Sequence, residues 1–195
     1  MEKLKSALRF GGILSKNDID KVASSFNLKK LKAEEHFQKF QQVANEIAFV
    51  DSGILRVYGV DSKGNDVSKY FVREDQFFFD LQSYYSAKHA TEAIQAVVNS
   101  ELYVIHTFVI EELLNEIPHL YIFLKSITEA TLLNKIKDND FLNFGSAKTK
   151  YLEFVERYPA MAQQVPQQYI ASYLKITPQS LSRIRKELAK KQGNP

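Results

Sequence analysis

The 195-residue chain can hold one large domain or two small ones, and its composition, with 45% hydrophobic and 25% charged residues, is that of a globular protein. It has no cysteine, which excludes disulfides, a thiol sensor, a cysteine-ligated iron–sulfur cluster and a zinc–thiolate site. Apolar runs such as Ile47–Val50 and Phe77–Phe79 are far shorter than the roughly 20 residues that cross a bilayer. Since no signal-peptide pattern follows Met1, we expect a cytoplasmic protein with no membrane partner.

The net charge of +3 is concentrated at one end of the chain. Residues 162–195 contain six Lys or Arg and one acid, Glu187, so this tail carries +5 and the rest of the chain carries −2. The six basic residues are Lys175, Arg183, Arg185, Lys186, Lys190 and Lys191. A positive segment of this kind is typical of a surface that meets phosphate groups.

Residues 2–9 and 16–25 have the apolar spacing of two short helices. From about 27 to 106 the pattern changes to short segments rich in Val, Ile, Phe and Tyr, which is typical of strands. The predicted strands are Glu46–Val50, Ile54–Val60, Val67–Val72, Thr91–Val98 and Leu102–His106. Turns are predicted at Asp51–Gly53 and Asp61–Asn65, so we expect a compact antiparallel barrel or roll.

The second half of the chain is predicted to be helical. The predicted helices are 109–116, 118–139, 147–157, 167–174 and 178–190. The longest has a wide apolar stripe, which suits either the core of its own chain or the seam of a two-fold dimer. In the dimer interpretation the contacts come from Leu124, Ile127, Thr131 and Asn134, and the last two set the register. A domain boundary is expected near 143–146.

The segment Gln168–Leu188 has the pattern of a helix-turn-helix, with only Lys175–Thr177 between its two predicted helices. Ala171 provides a small residue where the helices cross. The branched residues available for the shared core are Ile170, Leu174, Ile176, Leu181 and Ile184. Thr177 is a good N-cap, and Pro178 is tolerated at the first helical position because its missing N–H would have no partner there.

The polar side of the second helix carries residue types that read DNA. Gln179 and Arg183 can make bidentate hydrogen bonds to base edges, while Ser180, Arg185 and Lys186 can bind phosphates. The simpler alternative is a basic amphipathic helix that only covers a core. The spacing, the N-cap, the small crossing residue and the local charge together favour DNA binding.

The order of these elements resembles the Crp–Fnr superfamily of transcription regulators over almost the whole chain. Phe49–Tyr58 is similar to the family's strand–glycine–strand segment, Lys63–Val67 to its next hairpin and Glu74–Leu81 to the start of its phosphate-binding cassette. Ile170–Leu174 and Leu181–Arg185 are similar to parts of its helix-turn-helix.

The resemblance implies an α+β fold with three parts. These are an N-terminal antiparallel β-roll (a double-stranded β-helix or jelly roll) with flanking helices in residues 1–117, a dimerisation helix in 118–142 and a helix-turn-helix domain in 143–195. It further implies a homodimer that binds an inverted repeat in double-stranded DNA, with RNA polymerase as a further partner.

The phosphate-binding cassette departs from that of members that bind cyclic nucleotides. Those members have a glycine and a glutamate before a leucine, and later an arginine followed by Ser or Thr. Here Phe79 and Asp80 precede Leu81, and Ala90 precedes Thr91. The arginine pairs the cyclic phosphate and the glycine lets backbone N–H groups approach it. Since losing a charged partner in such a site costs several kcal/mol, we expect no tight binding of cyclic AMP or cyclic GMP.

The aromatic residues beside the cassette have two interpretations. They line a pocket for an unknown small-molecule effector, or they fill the nucleotide site as core and no effector binds. Aromatic runs more often pack than bind, which favours the second interpretation. The pocket residues in the first interpretation are Phe77, Phe79, Asp80, Tyr84 and Thr91.

Two departures concern DNA binding. The turn glycine common in the family is replaced by Lys175, which must adopt a turn backbone at some cost. Only Gln192–Pro195 are left after the second helix of the helix-turn-helix, which is the recognition helix, so no β-hairpin wing is expected. The alternative function is therefore a ligand-sensing or protein-binding module without DNA binding.

No catalytic chemistry is indicated. The four histidines, His36, His89, His106 and His119, have no metal-ligand spacing, and the sequence has no Gly-rich phosphate loop or nucleophile elbow. We therefore expect no catalytic residue, no metal, no cofactor and no enzymatic activity.

Overall fold

The computed structural model describes residues 1–80 and 88–192. The chain forms two compact units, one from Met1–Val57 and Phe71–Leu132 and the other from Tyr58–Tyr70 and Leu133–Pro195. In the part that the structure describes, no helix has both the length and the apolar character that a bilayer crossing needs. Among these same residues, no three metal-ligating side chains lie together.

The strands of the described residues form two antiparallel sheets. Their bounds are β1 Asn27–Leu31, β2 His36–Gln38, β3 Glu46–Ser52, β4 Ile54–Val60, β5 Asp66–Arg73, β6 Phe77–Phe78, β7 Ala93–Ala96 and β8 Ser100–His106. The strand orders are β1-β8-β3-β6 and β2-β7-β4-β5. The predicted β-roll is confirmed, with β7 shorter than predicted and with β1, β2 and β6 added.

The turn between β3 and β4 requires glycine. Gly53 has a φ of 109°, and a Cβ built there would lie 2.2 Å from Oγ of Ser100. Any side chain would therefore collide with the start of β8. β3 pairs antiparallel with β8, with Ala48 opposite Val104 and a register shift between Val50 and Ser52 beside this turn.

The described helices flank and follow the sheets. Their bounds are α1 Glu2–Leu8, α2 Lys16–Ser24, α3 Thr107–Glu116, α4 Pro118–Asn143, α5 Ala147–Arg157, α6 Pro159–Gln164, α7 Gln167–Tyr173 and α8 Pro178–Gln192. A capping box between Ser15 and Asp18 begins α2. The helix α6 was not predicted, although Pro159 is suited to the first position of a helix.

The core of the first unit lies where its helices pack on the sheet. Leu4 and Leu8 of α1 are buried together with Phe49 of β3, Ile105 of β8 and Phe123 of α4. Each fully buried Leu or Phe side chain contributes about 1.5–3 kcal/mol. This packing anchors the first part of α4 to its own chain.

The second unit combines the later helices with residues 58–70. Its buried apolar residues include Tyr151, Phe154, Ile170, Leu174, Leu181 and Ile184. The backbone N–H of Ser68 in β5 donates to Oγ of Ser172 in α7 over 2.9 Å. The ammonium of Lys135 lies 3.7 Å from the ring centre of Tyr70. Both contacts hold residues 58–70 to the helical part of this unit.

Candidate nucleic-acid interface

The turn between α7 and α8 closes as a Schellman motif, the common helix ending with a left-handed residue. The N–H of Ile176 donates to the carbonyl of Ala171 over 3.0 Å, and that of Lys175 to the carbonyl of Ser172 over 3.1 Å. Lys175 has a φ of 56°. The sequence analysis expected this position to need a turn backbone, and the structure places the lysine in one.

The start of α8 is fixed by its N-cap. The N–H of Ser180 donates to Oγ1 of Thr177 over 3.1 Å, and the Thr177 hydroxyl donates to Oγ of Ser180 over 2.9 Å. Pro178 is the first helical residue, as expected. Ser180 is half-buried, and its hydroxyl is the acceptor for that of Thr177.

The interior of the helix-turn-helix contains the apolar residues that its sequence pattern predicted. Ala171 is completely buried where α7 meets α8. Ile170, Leu174, Leu181 and Ile184 are buried with it, whereas Ile176 is half-buried. This packing leaves the opposite face of α8 free to meet a ligand.

A surface groove of about 740 Å³ runs along that face, and we call it the recognition groove. It is lined by Gln167, Pro178, Gln179, Ser182, Arg183, Lys186, Glu187 and Lys190. The helical period brings together the residues from positions 179, 182–183, 186–187 and 190. The groove therefore presents three cations and several neutral hydrogen-bonding groups on one surface.

Three of the five residues predicted to contact DNA line the recognition groove, namely Gln179, Arg183 and Lys186. Ser180 and the half-buried Arg185 lie outside its lining. The sequence pattern did not predict Gln167, Ser182, Glu187 or Lys190 as DNA-contacting residues. The signal for all but Gln167 was helical spacing: steps of three and four residues that start at Gln179 reach each of the others.

The groove contains one acid among its lining residues, Glu187. Its Oε2 lies 4.0 Å from Nζ of Lys148 on α5, and both side chains are well exposed. An exposed pair at this distance contributes at most about 1 kcal/mol. Lys148 adds a further positive charge beside the groove.

The residues predicted for the dimer interface lie on different sides of α4. Leu124 and Ile127 are partly buried and pack against the core of their own unit. Thr131 is half-buried and donates its hydroxyl to the carbonyl of Ile127 over 2.8 Å, while Asn134 is exposed. The large exposed apolar residues of this helix are Tyr121, Ile122, Leu132, Leu133 and Ile136.

The residues predicted for an effector pocket have different surroundings. Phe77 packs against Phe49 with ring centres 5.0 Å apart, and Phe79 also contacts the first unit's core. Asp80 accepts a hydrogen bond from Nε2 of Gln38 over 3.0 Å. Thr91 is exposed. Tyr84 lies outside the described residues.

Comparison with known proteins identifies solved structures with a similar fold. No protein-family model and no curated protein matches the sequence. FixK2 from Bradyrhizobium japonicum matches with 18% identity and a TM-score of 0.71, covering 86% of each chain. The chain has the Crp–Fnr superfamily fold.

Two further solved structures with this fold match nearly end to end. The c-di-GMP responsive regulator CLP of Xanthomonas campestris has 13% identity and a TM-score of 0.71, covering 91% of this chain and 93% of CLP. The catabolite activator protein of Thermus thermophilus has 16% identity and a TM-score of 0.57, covering 95% and 88%. The resemblance drawn from the sequence is thus confirmed for the Crp–Fnr fold.

Proposed function

We propose that the protein is a homodimeric, sequence-specific DNA-binding transcription regulator of the Crp–Fnr type that does not respond to cyclic AMP. The observation that carries this proposal is the recognition groove, where the exposed face of α8 presents Gln179, Arg183 and Lys186 together. A recognition helix that enters the major groove needs such a face on a firmly capped helix.

The lining residues divide into two roles by their chemistry. Gln179 matches the N6 and N7 edge of adenine, and Arg183 matches the O6 and N7 edge of guanine. Lys186 and Lys190 lie farther along α8 and meet phosphates, as does Arg185 beside the groove. The hydroxyl of Ser180, which accepts from that of Thr177, is a further phosphate donor. Gln179 and Arg183 thus supply specificity, and the phosphate-binding residues supply affinity.

The dimer is proposed to form through the exposed apolar face of α4. Tyr121, Leu132 and Ile136 lie within about 60° of one another around the helix axis, and Ile122 and Leu133 extend the face. Leu124 and Ile127 belong mainly to the core, so Thr131 and Asn134 are the remaining predicted contacts at its border. Two copies related by a two-fold axis would read an inverted repeat with half-sites about one helical turn apart.

The effector of this regulator is not a cyclic nucleotide. Ala90 is buried at the position where cyclic-nucleotide-binding members have arginine, so no guanidinium is supplied there to a phosphate. We expect either a different small-molecule effector or no effector. We place the regulator in the cytoplasm, with DNA and RNA polymerase as partners.

The alternative function, a module without DNA binding, was suggested by the missing wing and by Lys175 at the turn. Both hydrogen bonds of the turn form around Lys175 despite its positive φ. The lysine therefore costs strain energy without preventing the helix-turn-helix geometry. This favours the DNA-binding function.

Two alanine variants separate the proposed roles. We expect Arg183→Ala to weaken binding by about 1–3 kcal/mol and to relax selectivity at one base pair. Lys186→Ala is expected to weaken binding uniformly and to lower the salt slope by about 1. Titration of a selected operator and its single-base variants measures both effects, with Lys32→Ala, at an exposed lysine of the first unit, as control. An equal loss on every sequence for Arg183→Ala would contradict its base-reading role.

A further inference from the structure

One carboxylate near the end of α4 is contacted from three other places in the second unit. The phenol of Tyr158 donates to Oδ1 of Asp138 over 2.6 Å, and Nη1 of Arg157 lies 3.5 Å from the same oxygen. The phenol of Tyr173 donates to Oδ2 over 3.5 Å. We call Asp138, Arg157, Tyr158 and Tyr173 the Asp138 cluster.

The cluster is bordered by aromatic rings and by one further acid, Glu153, which pairs with Arg157 over 2.5 Å. The ring of Phe154 lies 5.7 Å from that of Tyr158 and 5.9 Å from that of Tyr173, and the guanidinium of Arg157 lies 4.9 Å from the ring centre of Phe141. Tyr173 is buried, and its pKa is raised first by that burial and then by the charge of Asp138. The phenol of Tyr173 therefore stays protonated and donates to the carboxylate.

The cluster connects the recognition element to α4. Tyr173 is the last residue of α7 and stands two residues before the turn residue Lys175. Arg157 and Tyr158 lie where α5 passes into α6. Hydrogen bonds to a carboxylate are roughly twice as strong as neutral ones, so the short bond from Tyr158 ties α4 to the junction of α5 and α6. The longer contact from Tyr173 extends the cluster to α7.

We propose that Asp138 is a positioning residue that sets the orientation of the helix-turn-helix on the end of α4, and through it the spacing of the two recognition helices in the dimer. This inference rests on the proposed function. When one half-site is bound, the second binds at an effective concentration set by how well the two helices match the spacing. A loosened helix-turn-helix loses that advantage on a full operator but keeps its contacts with a single half-site.

The first test compares full operators with half-sites. Asp138→Asn keeps the shape of the side chain and removes its charge, and Asp140→Asn makes the same change at an exposed position two residues farther along α4. We expect Asp138→Asn to lose roughly tenfold or more in affinity for the full inverted repeat. Its affinity for a half-site should stay unchanged, and Asp140→Asn should match the parent chain on both.

Two outcomes would overturn the positioning role. One is equal binding of the full operator by Asp138→Asn and the parent chain. The other is an equal loss on full operator and half-site, which is the signature of a general destabilisation. Tyr158→Phe removes one donor and leaves the carboxylate in place, so it should change the full operator in the same direction by a smaller factor.

A second test does not depend on DNA. The sequence has no cysteine, so spin labels can be placed through Lys137→Cys on α4 and Ala189→Cys on α8, both exposed. Labelled chains diluted with unlabelled chains should give one narrow distance distribution, which Asp138→Asn broadens and Asp140→Asn does not. An unchanged distribution in Asp138→Asn would overturn the inference. If the parent chain selects no DNA sequence, the proposed function fails, while these distances still decide the role of Asp138.

Discussion

Lys175 carries backbone strain that most side chains avoid. With a φ of 56° it occupies the left-handed region, at the position of a Schellman motif where glycine is the usual residue. A residue with a Cβ costs about 1–2 kcal/mol there. Its exposed ammonium donates to Oδ1 of Asn143 over 2.7 Å, which offsets only part of that cost.

Replacing Lys175 by Gly should therefore stabilise the protein. We expect the free energy of unfolding to rise by about 0.5–1 kcal/mol, since relief of strain exceeds the greater flexibility of glycine in the unfolded chain. Denaturant titration measures the change. Lys175→Ala is the matched control, because it also removes the ammonium but keeps the Cβ, and it should give no gain. Equal stabilisation by both variants would show that strain is not the cause.

Ala90 decides the expected response to cyclic nucleotides. It is buried, its N–H donates to the carbonyl of Gln42 over 2.8 Å, and its carbonyl accepts from the N–H of Gln41 over 2.9 Å. We expect isothermal titration with cyclic AMP to show no saturable binding at micromolar concentrations. Micromolar binding would mean that another cation replaces the missing arginine.

Residues with local partners were the most predictable. The cap by Thr177 and the turn at Lys175 follow from neighbours within a few positions, so the sequence pattern predicted both. Asp138 gave no such signal, because its partners Arg157, Tyr158 and Tyr173 are about 20 to 35 residues away and meet it only in the folded unit.

At the scale of elements, α4 shows what an apolar stripe can and cannot predict. The sequence pattern predicted that the helix is long and carries an apolar stripe. Its apolar residues, however, divide between an inner face with Phe123, Leu124 and Ile127 and an exposed face with Leu132 and Ile136. The pattern could not separate the two faces because they are adjacent around the helix. Short elements such as β6 and α6 were missed because they contain too few residues to show a period.

The exposed face of α4 gives a direct prediction for the dimer. We expect the parent chain to sediment as a dimer and the double variant Leu132→Lys, Ile136→Lys as a monomer, because two charges enter an apolar seam. The monomer should keep its fold, since both residues are exposed. In contrast, Leu124→Ala should lower the free energy of unfolding by about 1–3 kcal/mol because it packs on the core. A double variant that still sediments as a dimer would place the interface elsewhere.

At the scale of the whole molecule, the charge distribution and the fold agree. The positive tail of the sequence contributes Arg183, Lys186 and Lys190 to one groove. The Crp–Fnr fold found by comparison is the fold that the order of elements predicted. The fold was predictable because many independent local signals pointed to it. The full lining of the groove was not, because Gln167 joins it from the start of α7.

Selection of bound sequences from a random duplex library, repeated at two salt concentrations, tests the central claim most directly. The account predicts enrichment of an inverted repeat whose half-sites lie about 10–10.5 base pairs apart, with weaker binding at the higher salt. Weak binding that salt suppresses and that enriches no sequence would contradict it, and would reduce the recognition groove to a nonspecific basic surface.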